Sequence, residues 1–458
     1  MKIFGKKNSG LIKSVEKEQV DAKIEFTFPS LVSMNDGVNI CATACASCWD
    51  TKIPDQYKDR MTYIGKRTKT GHTSIIEHSN VVFYVPIEVE LIPDLMEFLS
   101  IVRYANTVVK PGINFNMMYL LIGGSWRAFA DIYLNAYSIF DNKVLMKITQ
   151  LVYQYIPSDG MRDIIDMGIL EESMFANNPS NEISLQYNYC RNCRLDEDIN
   201  IVNMDSFAKL KESILSVCPE PFVFTNKDLM KLLSVTIEFN NMSRIITQQL
   251  TRHRNGITQE SQRYVNYSGA CFNSPAKFRP DKYDPKYKYT INFGGTQFRM
   301  DLQTIGDNIT KLYGQLTDKL KNGDHILLKE DARAFLPNNT QCGKIFMTFT
   351  YYSLVKFLQL REDPHAQAEI RSYGERIGKW FRTNAKNDDS IFENDIYDIL
   401  KPNMITTDYT ESIANMGIID SVSITKNTVE EGITQEEYAN IIGESIKYTD
   451  EHPEEVIE

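Results

Sequence analysis

At 458 residues the chain is too long for one ordinary core, so two or three domains are expected. Its composition, 42% hydrophobic and 24% charged, is that of a soluble globular protein. The net charge of −10 argues against a surface devoted as a whole to nucleic acid, so any anion site must be a local basic cluster.

The basic stretch Met1 to Ser14 has no apolar run behind it and does not read as a secretory signal. No apolar run approaches the roughly 20 residues that span a bilayer, and a cytoplasmic location away from membranes is expected. After an irregular leader, Phe26-Thr27-Phe28-Pro29 reads as a strand end. Asp50 to Lys69 is polar and helical, leading into Gly71-His72-Thr73-Ser74. Val81 to Val85 is a buried strand that Pro86 interrupts. Helical apolar stretches follow at Leu91 to Val102 and Trp126 to Phe140.

A second strand–helix unit opens with the alternating Val235 to Phe239, and Ser243 is placed to cap the next helix. On that helix Gln249 and Arg252, three apart, share a face. Asn255-Gly256 makes a turn, and Tyr283 to Tyr289 is a loop or edge strand. Ser353 to Leu360 forms a helix with Leu354, Phe357 and Leu358 inward and Arg361 on the same face. Asp363-Pro364 then begins another helix, striped by Ala366, Ile370, Tyr373 and Ile377. The last fifty residues are acidic and read as a peripheral appendage.

An internal repeat is visible. Trp126 to Tyr133 can be laid on Tyr351 to Leu358 with apolar positions in register, which matches Arg127 to Tyr352 and Ala136 to Arg361. The 8 cysteines carry no sign of a disulfide framework. Cys41, Cys45 and Cys48 have a spacing that iron–sulfur enzymes use, and Cys190 and Cys193 form a C-x2-C pair. Without supporting elements they read as buried thiols rather than metal ligands.

Arg252, Arg254 and Arg263 cluster within a dozen residues, interleaved with His253, Gln259, Ser261 and Gln262. A solvated basic face is the bland alternative, but it would not need Gln and Ser at this density. Arginine binds phosphate bidentately while Gln and Ser read a base edge and a sugar. Arg361, on the apolar side of a helix, needs a partner. Glu362 and Glu369 face elsewhere on a helical reading, which leaves a ligand. Arg333 has Glu330 and Asp331 as ready alternatives, and His365 could cap its own helix.

Gln249-x-x-Arg252-His253-Arg254 followed by Ser261-x-Arg263-Tyr264 resembles the signature of flavin-dependent thymidylate synthases, the ThyX family. Four further features run in the family's order. These are Gly71-His72-x-Ser74-x-x-Glu77-His78, Ala332-Arg333-x-x-Leu336-Pro337, Phe357-Leu358-x-Leu360-Arg361 and His365-Ala366-Gln367.

The resemblance implies methylation of dUMP to dTMP, with carbon from methylenetetrahydrofolate and hydride from FAD reduced by NADPH. Gln249, Arg252, Gln259, Ser261, Gln262, Arg263, Arg333 and Arg361 would bind dUMP, Arg361 being the catalytic group that favours the ionised uracil. His72, Ser74, Arg127, Arg252, His253, Arg254, Lys356 and His365 would line the FAD. No cysteine nucleophile is required, and Cys218-Pro219 has the residues of the folate-only synthases in reversed order. The arginine-to-serine spacing is one residue shorter than the family's, Gln259 falls where Glu is frequent, and Tyr352 falls where arginine is expected.

The expected fold is α+β, an α/β-type mixed architecture of two ThyX-like units, each a mostly antiparallel twisted sheet packed with helices. A degenerate unit would span residues 1–165, a motif-bearing unit 166–400 and the appendage 401–458. Each unit would keep what the other discarded, and a homodimer would rebuild the family's four-unit assembly. Hydroxymethylation of dUMP or dCMP is the rival chemistry, and a non-catalytic nucleotide- or RNA-binding relative the rival class.

Overall fold

The computed structural model describes residues 28–113, 115–136, 139, 141–157, 193–253, 256–318 and 326–387. Contacts divide the chain into Met1–Lys401 and Pro402–Glu458, and every described residue belongs to the first unit. The acidic appendage, the leader before Phe28, Arg254, Asn255 and Cys190 lie outside the described residues. No described helix is long and apolar enough to cross a membrane.

Mixed α+β architecture is what forms, with antiparallel sheets packed against helices. The first sheet takes the order β1-β2-β4-β3, from β1 (Ser30–Met34), β2 (Val81–Glu88), β3 (Asn106–Pro111) and β4 (Met117–Gly124). Between its strands lie α1 (Gly37–Trp49), α2 (Tyr57–Lys69), a 3-10 turn at Thr73–His78 and α3 (Ile92–Ile101), and after it α4 (Trp126–Asn135) and α5 (Lys143–Tyr155). The second sheet is β5-β6-β7-β11-β8. Its strands are β5 (Cys193–Arg194), β6 (Ile199–Met204), β7 (Ser234–Phe239), β8 (Gly256–Gln259) and β11 (Ile345–Thr350). Helices α6 (Phe207–Val217), α7 (Asn226–Met230) and α8 (Arg244–Leu250) separate β6, β7 and β8. Between β8 and β11 come α9 (Pro275–Phe278), the exposed hairpin β9 (Tyr289–Phe293) and β10 (Thr296–Met300), α10 (Leu302–Thr317) and α11 (Lys329–Ala332). The described chain closes with α12 (Tyr351–Arg361) and α13 (Ala368–Asn387).

The two sheets share one strand order, once β5 is set aside, and one register. The first pair of each carries an irregularity at the same place, between Leu31 and Ser33 in one and Ile201 and Asn203 in the other. Met34 faces Val81 as Met204 faces Val235, Val81 faces Gly124 as Val235 faces Phe349, and Asn106 faces Gly123 as Gly256 faces Thr348. Capping follows suit. The Asp36 and Ser206 side chains cap the helices after β1 and β6, and Ser125 and Thr350 those after β4 and β11. This geometry sets Arg127 opposite Tyr352 and Ala136 opposite Arg361.

Several sequence expectations are corrected. β2 runs through Pro86 because pairing with β1 ends at Tyr84, leaving the proline with a strand neighbour on one side only. Gly256 opens a strand instead of closing a turn, and it is held close: a Cβ there would lie 2.8 Å from the Glu77 carbonyl oxygen. The Ser243 hydroxyl donates to Glu369 at 2.7 Å and does not cap its helix. The last helix begins at Ala368, since Asp363 turns back to accept from the His365 backbone N–H at 2.7 Å. The helix after Asp50 starts only at Tyr57, and that from Trp126 ends at Asn135.

Two buried polar links pin the first sheet's turn and strand to the second sheet. His78 is fully buried, with Nδ1 2.8 Å from Thr348 Oγ1 and Nε2 2.8 Å from Thr258 Oγ1. Asn80 Nδ2 donates to the Asp205 carboxylate and the Leu232 carbonyl, each at 2.9 Å, while Asp205 also accepts from the Ser234 N–H and hydroxyl. A shared core backs them, with Val82, Tyr84 and Leu121 packing alongside Phe207, Leu210 and Ile214 of α6.

Burial holds the His78 imidazole down at about 3, against 6.5 when free. The unfolded chain therefore binds a proton that the folded chain refuses, and the stability His78 supports is full above pH 6.5 and falls as pH drops towards 3. We expect the urea-unfolding free energy to decline more steeply between pH 6 and 4.5 in the native chain than in His78→Gln, by about 1.4 kcal/mol per pH unit. Equal slopes would show that His78 does not set the acid limit.

Candidate functional site

Arg361 ends α12, whose Tyr351, Leu354, Phe357 and Leu358 are buried. Each such side chain contributes about 1.5–3 kcal/mol, and together they fix the roll of the helix. That roll leaves Lys356 exposed, while Arg361, seven residues after Leu354, keeps the inward face at the helix end. Arg361 Nε and Nη2 donate to His253 Nε2 at 3.1 and 2.9 Å, so Nε2 is the acceptor and the imidazole carries its proton on Nδ1. The Phe357 ring meets His253 edge-on at 5.1 Å. Burial, then the Arg361 charge, holds His253 down at about 4. Burial, then the like charge of Arg252, presses the Arg361 guanidinium below its ordinary value.

Neighbouring carboxylates are engaged elsewhere. Glu362 is forked on Arg382 at 2.7 and 3.0 Å, and Glu369 accepts from Ser243 and Asn273. Among the described residues no carboxylate pairs with Arg252 or Arg361. Two guanidiniums around a neutral imidazole make a receptor for an anion. Gln249, on the helix that leads into Arg252, donates to Gln367 Oε1.

A second group forms where β8 runs into the following loop. The Ser261 N–H donates to the Cys48 carbonyl at 3.1 Å, and Ser261 Oγ accepts from the Arg263 N–H at 3.2 Å. The Arg263 side chain meets Glu330 at 3.0 Å, so Glu330 serves Arg263 and leaves Arg333 exposed and without a described ion pair. Beside Cys48, Trp49 meets the His72 ring edge-on at 4.7 Å and is covered by Arg67 at 4.6 Å. The Gln259 Nε2 amide is buried without a hydrogen-bond partner, and Gln262 is half-buried. Ser74 is exposed on the 3-10 turn.

Arg127 faces Asp131 at 3.3 Å. Burial pushes the nearby Glu77 carboxyl up to about 7, with Arg127 pulling it down and Asp131 up. Lys356 Nζ lies 4.6 Å over the Tyr352 ring, and the exposed His365 Nδ1 contacts Asp363 at 2.9 Å. Of the residues singled out in the sequence, the structure joins Arg252, His253 and Arg361 in one group and Ser261 and Arg263 in another. Among the described residues no hydrogen bond or ion pair connects the two groups. Cys41 and Cys45 are buried in α1, as small core thiols.

A family model described as "Thymidylate synthase complementing protein" matches residues 226–385, the stretch that holds both groups. A flavin-dependent thymidylate synthase of Kosmotoga olearia is 31% identical over 169 residues, 34% of this chain and 67% of that one. The chain belongs to the flavin-dependent thymidylate synthase family. A second such enzyme, from Pyrococcus abyssi, is 30% identical over 36% of this chain and 62% of its own length. Among solved structures, ThyX of Helicobacter pylori with FAD and dUMP aligns with 44% of this chain and 99% of its own, at 15% identity and a TM-score of 0.29.

Trp49, Arg67 and Glu260 were not singled out from the sequence. Tyr63 and Arg67, four apart on α2, are the signal that could have marked this face. Glu260 is a half-buried carboxyl raised by burial, against the opposing Tyr267 hydroxyl and Lys344 backbone. It sits beside the loop that turns towards Ser261.

Removing the Arg361 charge should relax the constraint on its neighbour. In Arg361→Ala, the His253 imidazole is expected to titrate higher than about 4 by proton NMR, although still below 6.5 because its burial remains. An unchanged value would mean that burial alone holds it neutral.

Proposed function

We propose that the chain is an FAD-dependent thymidylate synthase, carrying out reductive methylation of dUMP to dTMP with methylenetetrahydrofolate and NADPH. The observation that carries this reading is the grouping of Arg252 and Arg361 about a neutral His253, with no opposing carboxylate among the described residues. Such a site attracts an anion and favours the ionised form of a pyrimidine whose carbonyl oxygens take up negative charge. Family membership supports it independently.

In this reading Arg361 is the catalytic group that orients the uracil, helped by Arg252 and Gln249. Arg263, exchanging Glu330 for phosphate, holds the nucleotide's anionic end with Arg333, and Ser261, Gln262 and the unpartnered Gln259 amide meet sugar and base. The donors suit a flavin. His72 offers a ring braced by Trp49, while Ser74, Lys356 and His365 are exposed. These residues, with His253, Arg254 and Arg127, would hold the FAD, which when bound supplies the hydride. A thiolate is not called for, and burial raises the Cys45 thiol to about 11 and Cys342 to about 12.

The unit boundaries 1–165, 166–400 and 401–458 belong to the same proposal. It is supported by the shared strand order and register of the two sheets. The separation of the Arg361 and Ser261 groups within one chain fits a homodimer, in which a second copy brings the missing wall.

Incubation of the purified chain with FAD, dUMP, methylenetetrahydrofolate and NADPH should yield dTMP. A hydroxymethylated product would redirect the chemistry, and no turnover of a flavin-loaded protein would refute it. Arg361→Lys keeps the charge but loses the fork, and kcat/KM is expected to fall about 10- to 100-fold. Light scattering should give twice the chain mass; a monomer would remove the case for a shared site.

A further inference from the structure

Beyond His365, which lines its edge, opens a cavity of about 420 Å³ whose aromatic walls and arginines no predicted role uses. It lies between α9, the segment running on to Tyr283, and the turn that leads into α13. Phe278, Tyr283 and Pro364 give it flat apolar and aromatic walls, and Arg279 and Arg371 line it as well. Arg279 has no side-chain hydrogen bond or ion pair among the described residues. Arg371 donates to the Pro364 carbonyl at 2.7 Å and makes a loose 3.6 Å contact with the half-exposed Glu375, so part of its fork is unused. Glu369, the carboxylate in the lining, is buried and taken up by Ser243 and Asn273, and burial raises it towards its neutral form. The cavity is thus cationic within a chain of net charge −10. Gln367 belongs to its wall and accepts from Gln249 of the proposed nucleotide site, so the two spaces adjoin.

We propose that this cavity binds the tail of a co-substrate: a planar aromatic ring bearing an anionic group, seated between Phe278 and Tyr283 with its charge on Arg279 and Arg371. The volume suits a fragment of that size, and aromatic walls with a few convergent polar groups are the usual build of a small-molecule site. Arginine forks match both carboxylate and phosphate. The inference rests on the proposed function for its choice of ligand. In that reading two co-substrates carry such a tail: the arylamide glutamate of the folate and the phosphorylated adenosine of NADPH.

Calorimetric titration of the full-length chain with p-aminobenzoylglutamate and, separately, with adenosine 2′,5′-bisphosphate tests it without turnover. One fragment should bind, and its affinity should fall at least about tenfold in Arg279→Ala/Arg371→Ala, while dUMP affinity, the measure of intact folding, stays unchanged. The fragment that binds identifies the source of the tail. Neither fragment binding, or equal binding by the double variant, overturns the proposal and leaves the proposed function standing. Failure of the native chain to bind dUMP or flavin would instead count against that function, whatever the fragments do.

Discussion

The arrangement of this chain turns on one buried imidazole. His78 leaves the first half's 3-10 turn and enters the second sheet, where both ring nitrogens are spent on the hydroxyls of Thr258 and Thr348. Thr348 also meets Thr236 at 2.8 Å, so the imidazole reaches three adjacent strands, β8 and β11 directly and β7 through that hydroxyl. The neutral ring donates to one threonine and accepts from the other, and burial disfavours the charged form. His78 therefore stays neutral, and its residue neighbours stay where it puts them. Glu77, one residue earlier, lies against Gly256, which begins the strand leading to Gln259 and Ser261. The start of that strand is thus fixed by a residue from the other half of the chain.

The same logic of neutrality governs the Arg361 group. Two guanidiniums side by side repel, and a charged histidine between them would add a third positive charge. Burial prevents that by holding His253 near 4, and the forked donation from Arg361 requires an acceptor nitrogen. With Glu362 and Glu369 held by other partners, the positive potential is not cancelled inside the protein. Folding carries that repulsion, and an anion relieves it, which is why the arrangement fits a binding site better than a structural ion pair.

Much of this was legible in the sequence. The strands at Val81 and Val235 and the helix bearing Arg361 follow from periodicity. That Glu362 does not serve Arg361 follows from helical spacing alone. What was not legible depends on long-range contact. The Asp363-Pro364 pair looks like a helix start, but the Asp363 side chain closes a local turn with His365 instead. Gly256 looks like turn chemistry, yet its reason is the approach of Glu77, nearly two hundred residues earlier. The partner of Arg361 is His253, adjacent to Arg252 in every reading of the motif, but no spacing rule places it against a helix a hundred residues on.

The shared register of the two sheets also sets different residues at matching positions. Ala136 holds the position that matches Arg361, and it is 3% exposed within the first half's own core, so no arginine could stand there without displacing Ile139 or Phe129 or their neighbours. Earlier on the same helix, the first half carries Arg127 and Asp131, which pair with each other, where the second carries Tyr352 and Lys356. The first face is closed and charge-balanced, while the second is open and cationic. In the first half, burial raises the Glu77 carboxyl beside Arg127, on the turn from which His78 projects.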